Sequence, residues 1–241
     1  MGFVLLRSEI FERLCVLIMR RDTFEESKGK SKKFNFAFYD FVKITGIIPV
    51  MLWLHPRVYH VGDKKSHNVK GPLLITSNHI GFRDPLFLLC VFWRRRIFGL
   101  ITKDLYKNKY MSLMLNAIHC IEVDKDNFSM QSFHKVSDLL NDGRAVLIFP
   151  EGQVNREENS MLSFKTGAVL MAHKNNARVL PVYINTGERW YQRNVAVVGD
   201  PIDIREICGS FPTMDALKRA SEHIQSKELE LKEYFDSNIK K

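Results

Sequence analysis

Closely spaced cysteines are missing from this sequence. Its four, Cys15, Cys90, Cys120 and Cys208, lie far apart and mostly among apolar neighbours, which argues against a disulfide scaffold or a thiolate zinc site and fits a reducing compartment. An apolar run long enough to cross a bilayer is missing too. The longest candidate, Phe34 to Leu54, contains Asp40 and Lys43 and is expected to break at Gly46 and Pro49, leaving an apolar part near Ile44 to Leu54 that is too short to span. A secretory signal is disfavoured because Arg7, Glu9, Glu12 and Arg13 interrupt the stretch it needs. Asn127-Phe128-Ser129 is then a chance match to a glycosylation acceptor. There is no internal repeat and no low-complexity segment. Acidic residues are in deficit: 27 Asp and Glu stand against 36 Lys and Arg, a formal charge of +9. That field favours anionic partners without choosing among lipid, metabolite and nucleic acid. Nucleic acid is the least favoured, because the aromatics sit in apolar runs rather than interleaved with Lys and Arg as a stacking platform requires.

What is present is enough apolar material for one sizeable domain: 45% hydrophobic over 241 residues. Apolar positions Phe3, Leu6, Ile10, Leu14 and Leu17 have helical spacing, residues 21 to 33 read as a charged loop, and a Phe-rich stretch follows from Phe34. Together residues 1–54 form an expected amphipathic, aromatic segment for membrane association. Residues 55–241 are expected to form a separate α/β domain. Arg57 to Val61 reads as an edge strand. Short aliphatic runs then recur at Leu73–Thr76, Ile97–Ile101, Cys120–Val123, Ala145–Phe149, Val179–Ile184 and Val195–Val198. Helix-length segments separate them at Pro85–Trp93, Tyr106–Asn116, Phe128–Leu140 and Lys165–His173, and a last helix, about Met214 to Tyr234, carries Met214, Leu217, Ile224 and Leu231 on one side. This alternation predicts an α/β fold with a largely parallel or mixed central sheet flanked by helices.

The strand Leu73-Leu74-Ile75-Thr76 runs directly into Ser77-Asn78-His79, and Asp84-Pro85 opens the next helix five residues later. His79 is thereby placed at the carboxyl end of a strand, where open α/β sheets hold their ligands. Asp84 is within reach of one imidazole nitrogen, so that the other can take a proton from an attacking hydroxyl. The competing reading makes Asp84 the cap of its helix and His79 a polar turn residue. A second buried-looking strand, Ala145 to Phe149, ends in Pro150-Glu151-Gly152 and delivers a carboxylate and a flexible turn to the same sheet edge. Beyond it, Arg156 and the helix start at Phe164-Lys165-Thr166-Gly167 suggest an anion site, with a solvated charge cluster as the alternative.

Four segments in order now resemble the glycerolipid acyltransferase family, typified by the lysophosphatidate acyltransferases: Asn78-His79 with Asp84; Cys120-Ile121-Glu122-Val123-Asp124-Lys125; Phe149-Pro150-Glu151-Gly152 with Phe164-Lys165-Thr166-Gly167; and Val179-Leu180-Pro181-Val182-Tyr183. The resemblance covers roughly residues 55 to 200. It implies a fatty acyl transfer from acyl-CoA or acyl carrier protein to the free hydroxyl of lysophosphatidic acid. By resemblance His79 is the general base and Asp84 orients it. Glu151 and Gly152 shape the acceptor pocket, and Lys125 with nearby bases, Arg156 and Lys165 among them, holds the acceptor phosphate. Lys103, after the strand Ile97 to Ile101, resembles a recurrent family lysine that touches a donor or acceptor phosphate; a solvated strand end is the alternative. The chain departs from the family in carrying Gln153-Val154 where Thr-Arg is usual and Lys125 where Arg is common. Lysine keeps the charge but loses the fork that grips phosphate with two parallel bonds.

No cofactor or metal is called for, because a thioester donor is already activated. The expected partners are the lysophospholipid acceptor, the anionic phospholipid surface of the membrane and, as an alternative donor to acyl-CoA, acyl carrier protein. The expected location is peripheral, on the cytoplasmic side of the cell membrane. Two alternatives stay open: an acyltransferase for another lysophospholipid or a non-phosphorylated acceptor, and a membrane-binding protein without catalysis.

Overall fold

The computed structural model describes residues 37–240, apart from 63–68, 108, 110, 111, 113, 114, 117–119, 124–128, 156–160 and 187–193. The expected helix over residues 3 to 18 lies outside the described residues, as do five of the eleven positions of the one expected from Tyr106 to Asn116. Elements follow in the order α1 (Ala37–Leu54), β1 (Pro56–His60), β2 (Leu73–Ser77), α2 (Asp84–Val91), β3 (Ile97–Thr102), the short α3 (Lys103–Tyr106), β4 (Ile121–Val123), α4 (Met130–Asn141), β5 (Ala145–Ile148), α5 (Thr166–Lys174), β6 (Arg178–Asn185), β7 (Asn194–Val198), α6 (Ile204–Cys208) and α7 (Met214–Asn238). The strands form one seven-stranded sheet in the order β1-β7-β6-β2-β5-β3-β4. All pairings are parallel except β6 with β7, so the sheet is mixed.

Why β2 is central follows from its side chains. Leu73, Leu74 and Ile75 are all fully buried, as a strand covered on both faces requires. Alternation then sends Leu74 to a core built with α4, α5, α6 and α7, while Leu73 and Ile75 face Leu54 of α1 and Phe87 and Leu88 of α2. Each fully buried Leu or Phe contributes about 1.5–3 kcal/mol. Together they clamp the sheet between its two helical layers.

Two local expectations are corrected. Gly46 and Pro49 do not break the first helix, which runs unbroken through both as α1. Tertiary contacts offset the proline's missing donor: Leu54 is buried in the core, Lys43 Nζ donates to the Arg95 carbonyl at 2.7 Å, and Arg96 grips Asp40. Even so, no helix of the described residues is long and apolar enough to cross a membrane. In α7, Met214 lies outside the buried stripe, 70% exposed, while Glu228 occupies a fully buried position within it. Thr213 caps α7 by accepting from the Ala216 amide, and this turns Met214 outward at the first helical position.

Glu228 faces the Thr76 hydroxyl and, past it, the Glu151 carboxyl; neither Glu228 oxygen has a hydrogen-bond partner of good geometry. Burial pushes its pKa well above 4.5, and the Glu151 charge adds to the rise while Thr76 opposes it. The folded protein therefore keeps a proton that the unfolded chain releases as pH rises past the ordinary value. Stability from this group falls with rising pH, by at most about 1.4 kcal/mol per unit. Glu228→Gln removes the linkage. Its stability by urea titration should exceed the wild type's at pH 8, with the gap closing near pH 4.5. A gap of the same size at both pH values would show that Glu228 is ionised in the fold.

Candidate active site

The site forms at the carboxyl ends of two adjacent central strands, β2 and β5, with β6 on the other side of β2. Ser77 pairs with Val182 in parallel register, which brings Asn78 beside Ile184. There the Asn78 side chain accepts from the Ile184 amide at 2.8 Å and donates to its carbonyl at 3.0 Å. This two-point bond extends the pairing by one side chain and fixes the direction in which the chain leaves the sheet.

His79 comes next, with its side chain 19% exposed and its Nδ1 2.9 Å from Oδ2 of a fully buried Asp84. A carboxylate can only accept, so Nδ1 carries the proton and Nε2 is left as the basic nitrogen. The ring stacks on Phe149, centroids 4.1 Å apart and planes at 16°, which fixes its orientation from the β5 side.

Asp84 does more than hold the histidine. Its Oδ2 also accepts from the amides of Ile80 and Gly81 at 2.6 and 2.7 Å, and its Oδ1 accepts from the Thr186 hydroxyl at 2.7 Å. The capping role expected for Asp84 is corrected accordingly. Helix α2 begins at Asp84 itself, its N-cap is Arg83 without a side-chain cap bond, and the carboxylate turns back onto the loop that precedes it. The competing donors explain this: an imidazole and two amides of one tight turn converge on a single oxygen, whereas a cap satisfies one amide.

Glu151 is 5% exposed, and the amides of Leu162 and His79 and the Asn155 side chain donate to its carboxylate. Burial pushes its pKa up; those donors and the charge of His79 oppose the rise. In return the Asn155 amide donates to the His79 carbonyl at 2.7 Å. The β5 turn thus grips the histidine's backbone on both sides while Phe149 grips its ring. Gly152 sits at φ +72°, and a Cβ there would lie 2.7 Å from Nζ of Lys165. The positive φ is what favours glycine here, and the flexible end of the lysine lies in the space a Cβ would take. Lys165 itself is anchored by its amide, which donates to the Pro150 carbonyl at 3.0 Å.

The structure therefore gathers His79, Asp84, Glu151, Gly152 and Lys165 at one edge. Lys103 is exposed at the start of α3, beyond the end of β3 on the same edge of the sheet. Lys125 and Arg156 lie outside the described residues. Val154, where a family arginine is usual, is 43% exposed. Sequence reasoning gave no role to Thr186, Asn78, Asn155 or Phe149. Nothing local marks Thr186, 102 residues from Asp84, because only the β2–β6 pairing brings it near. Phe149 was legible as a strand end and as part of the third family-like segment, but not as the ring that stacks on His79.

A buried carboxylate, an oriented imidazole with one free basic nitrogen, and a lysine over a glycine turn make an arrangement able to deprotonate a hydroxyl beside an anion. Comparison with known proteins gives the relatives of this chain. The chain is 26% identical over 158 residues to the 1-acyl-sn-glycerol-3-phosphate acyltransferase of Borreliella burgdorferi, an alignment covering 64% of this chain and 62% of that protein's length. It is 24% identical over 181 residues to the protein of the same name from Bacillus subtilis, covering 73% and 89% respectively. Its fold matches the crystal structure of the 1-acyl-sn-glycerophosphate acyltransferase PlsC of Thermotoga maritima with a TM-score of 0.62 at 17% identity, over 96% of this chain and 91% of that one. A profile of the Acyltransferase family matches residues 57–185, just over half of the sequence and inclusive of all four ordered segments, and the chain belongs to that family.

Proposed function

We propose that the protein transfers a fatty acyl group from acyl-CoA or acyl carrier protein to the free hydroxyl of lysophosphatidic acid. The observation that carries this reading is the His79–Asp84 pair, held at the edge of β2 against the Glu151-Gly152 turn and Lys165. Nε2 of His79 takes the hydroxyl proton as the oxygen attacks the thioester carbonyl. Asp84 stabilises the imidazolium that results. Collapse of the tetrahedral intermediate breaks the carbon–sulfur bond, and the departing thiolate takes the proton back, leaving ester and free thiol carrier. No protein nucleophile is needed, because alignment and proton transfer are the tasks left to the enzyme. Lys165, with Lys125 and Arg156, holds the acceptor phosphate by charge.

The enzyme works as a peripheral protein on the cytoplasmic face of the cell membrane. In support, α1 exposes Phe41, Ile44, Ile48 and Leu52 along one face, and Phe82, 72% exposed, projects from the catalytic turn itself. The test is direct. Folded full-length protein, given either donor and lysophosphatidic acid, should form phosphatidic acid detectable by mass spectrometry. Absence of product with both donors across a panel of lysophospholipids would sink the proposal. The exposed Val154 favours one second reading, a neutral acceptor, and a clear preference for such an acceptor in the same assay would establish it.

A further inference from the structure

The amino-terminal edge of the sheet, opposite the catalytic edge, carries a cleft of about 560 Å³. Its walls are the ends of α1 and α2 and the segments that lead into β2, β3 and β5. Among the described residues six cations line it, Lys43, Lys70, Arg94, Arg95, Arg96 and Arg144, against one carboxylate, Asp40. Arg96 uses that carboxylate in a two-point pair. Arg95 instead reaches the carbonyls of Val69, Gly71 and Gly143, dipoles without net charge. Burial lowers the pKa of both Arg95 and Lys43, a sign that these charges are held where water only partly solvates them. A half-buried excess of positive charge is costly until an anion enters.

Position separates this cleft from the catalytic site. Val69, Lys70 and Gly71 precede β2 and His79 follows it, so the two lie more than the strand's own length apart, about 16 Å for five residues. Position also links the cleft to the lipid surface. Helix α1 starts at the cleft with Asp40 and Lys43 and ends near the catalytic turn, where Arg83 lies over the Trp53 ring at 5.8 Å. Its exposed apolar face extends between the two, about 27 Å for 18 residues. Trp93, 48% exposed with Arg94 over its ring at 5.3 Å, borders the cleft as an amphipathic side chain suited to the headgroup level.

We infer that this cleft is a second, non-catalytic phosphate site that takes the headgroup of an anionic lipid in the same leaflet, fixing the enzyme's orientation while α1 lies in the interface. The inference rests on the peripheral membrane reading above. Lys70 and Arg94 are exposed, so their charges can be reversed without disturbing the Arg95 clamp or the Arg96–Asp40 pair.

The test is flotation of the full chain with vesicles of phosphatidylcholine alone or with one-fifth phosphatidic acid, using wild type, Lys70→Glu/Arg94→Glu, and a control pair on α7, Lys218→Glu/Arg219→Glu, all checked for folding by circular dichroism. Wild type should partition at least about tenfold more strongly onto the anionic vesicles. The cleft variant should lose most of that gain and keep its binding to neutral vesicles, and the control pair should keep both. Equal loss in the control pair would reduce the effect to net charge and overturn the site. So would wild-type behaviour of the cleft variant, with the membrane reading left standing. Wild type absent from both vesicle types would overturn the membrane reading, and the lipid headgroup with it. Inorganic phosphate in the millimolar range should displace the protein from anionic vesicles only weakly; complete displacement at matched ionic strength would assign the cleft to a free phosphate compound instead.

Discussion

His79→Ala should lower kcat by about 10²–10⁴-fold, the usual contribution of a positioned general base, while the protein stays folded. The fold tolerates the change because what holds this residue in place is mostly main chain. The bonds from the Asn155 amide to the His79 carbonyl and from the His79 amide to Glu151 survive in alanine. What disappears is the ring on Phe149, the basic Nε2, and one of the four donors to Asp84. Steady-state turnover with saturating acceptor, run beside a thermal melt, separates these effects. Near-normal turnover would remove His79 from the chemistry.

Asp84→Ala and Asp84→Asn should part company, and the contrast is more informative than either alone. Alanine leaves the Thr186 hydroxyl, the Ile80 and Gly81 amides and the His79 Nδ1–H without their acceptor. A buried donor deprived of its partner costs about 1–3 kcal/mol, so this variant should lose about 2–5 kcal/mol of stability as well as activity. Asparagine can present its oxygen to the imidazole and both amides and its nitrogen toward Thr186, whose hydroxyl can turn to accept. It should fold like the wild type yet turn over about 10–10²-fold more slowly, because a neutral amide stabilises the imidazolium less than a carboxylate does. Full activity in Asp84→Asn would make the buried charge dispensable and reduce Asp84 to a spacer. Urea melts of both variants beside kcat measure the two losses separately.

The first of these expectations was legible from residues alone. An apolar strand running into Asn78-His79, with Asp84 five residues on, places a base at a strand end by local rules of pattern and turn. The second was not. Read locally, Asp84 before Pro85 has the grammar of a helix cap, and its actual partners include Thr186 from the far side of β2. Glu228 makes the same point within one helix. Its neighbours Leu217, Ile224 and Leu231 gave the stripe by spacing, but a carboxyl at that spacing becomes a proton-holding group only when packing against the sheet buries it completely.

The sequence by itself determined the alternation of strand and helix, the strands that are buried on both faces, and which of its residues fall at the carboxyl ends of β2 and β5. Periodicity and turn chemistry act over a few residues, and those features need no more. Tertiary structure decided strand order, the antiparallel place of β7, the survival of α1 through Gly46 and Pro49, the reversal of Asp84 from cap to hub, and the gathering of six cations at the opposite edge of the sheet. Each of these depends on energies exchanged between segments tens of residues apart: burial of Leu54, ladder pairing of β2 with β6, desolvation of Arg95. Such terms have no signature in any single stretch of chain, because they come into being only when the sheet closes.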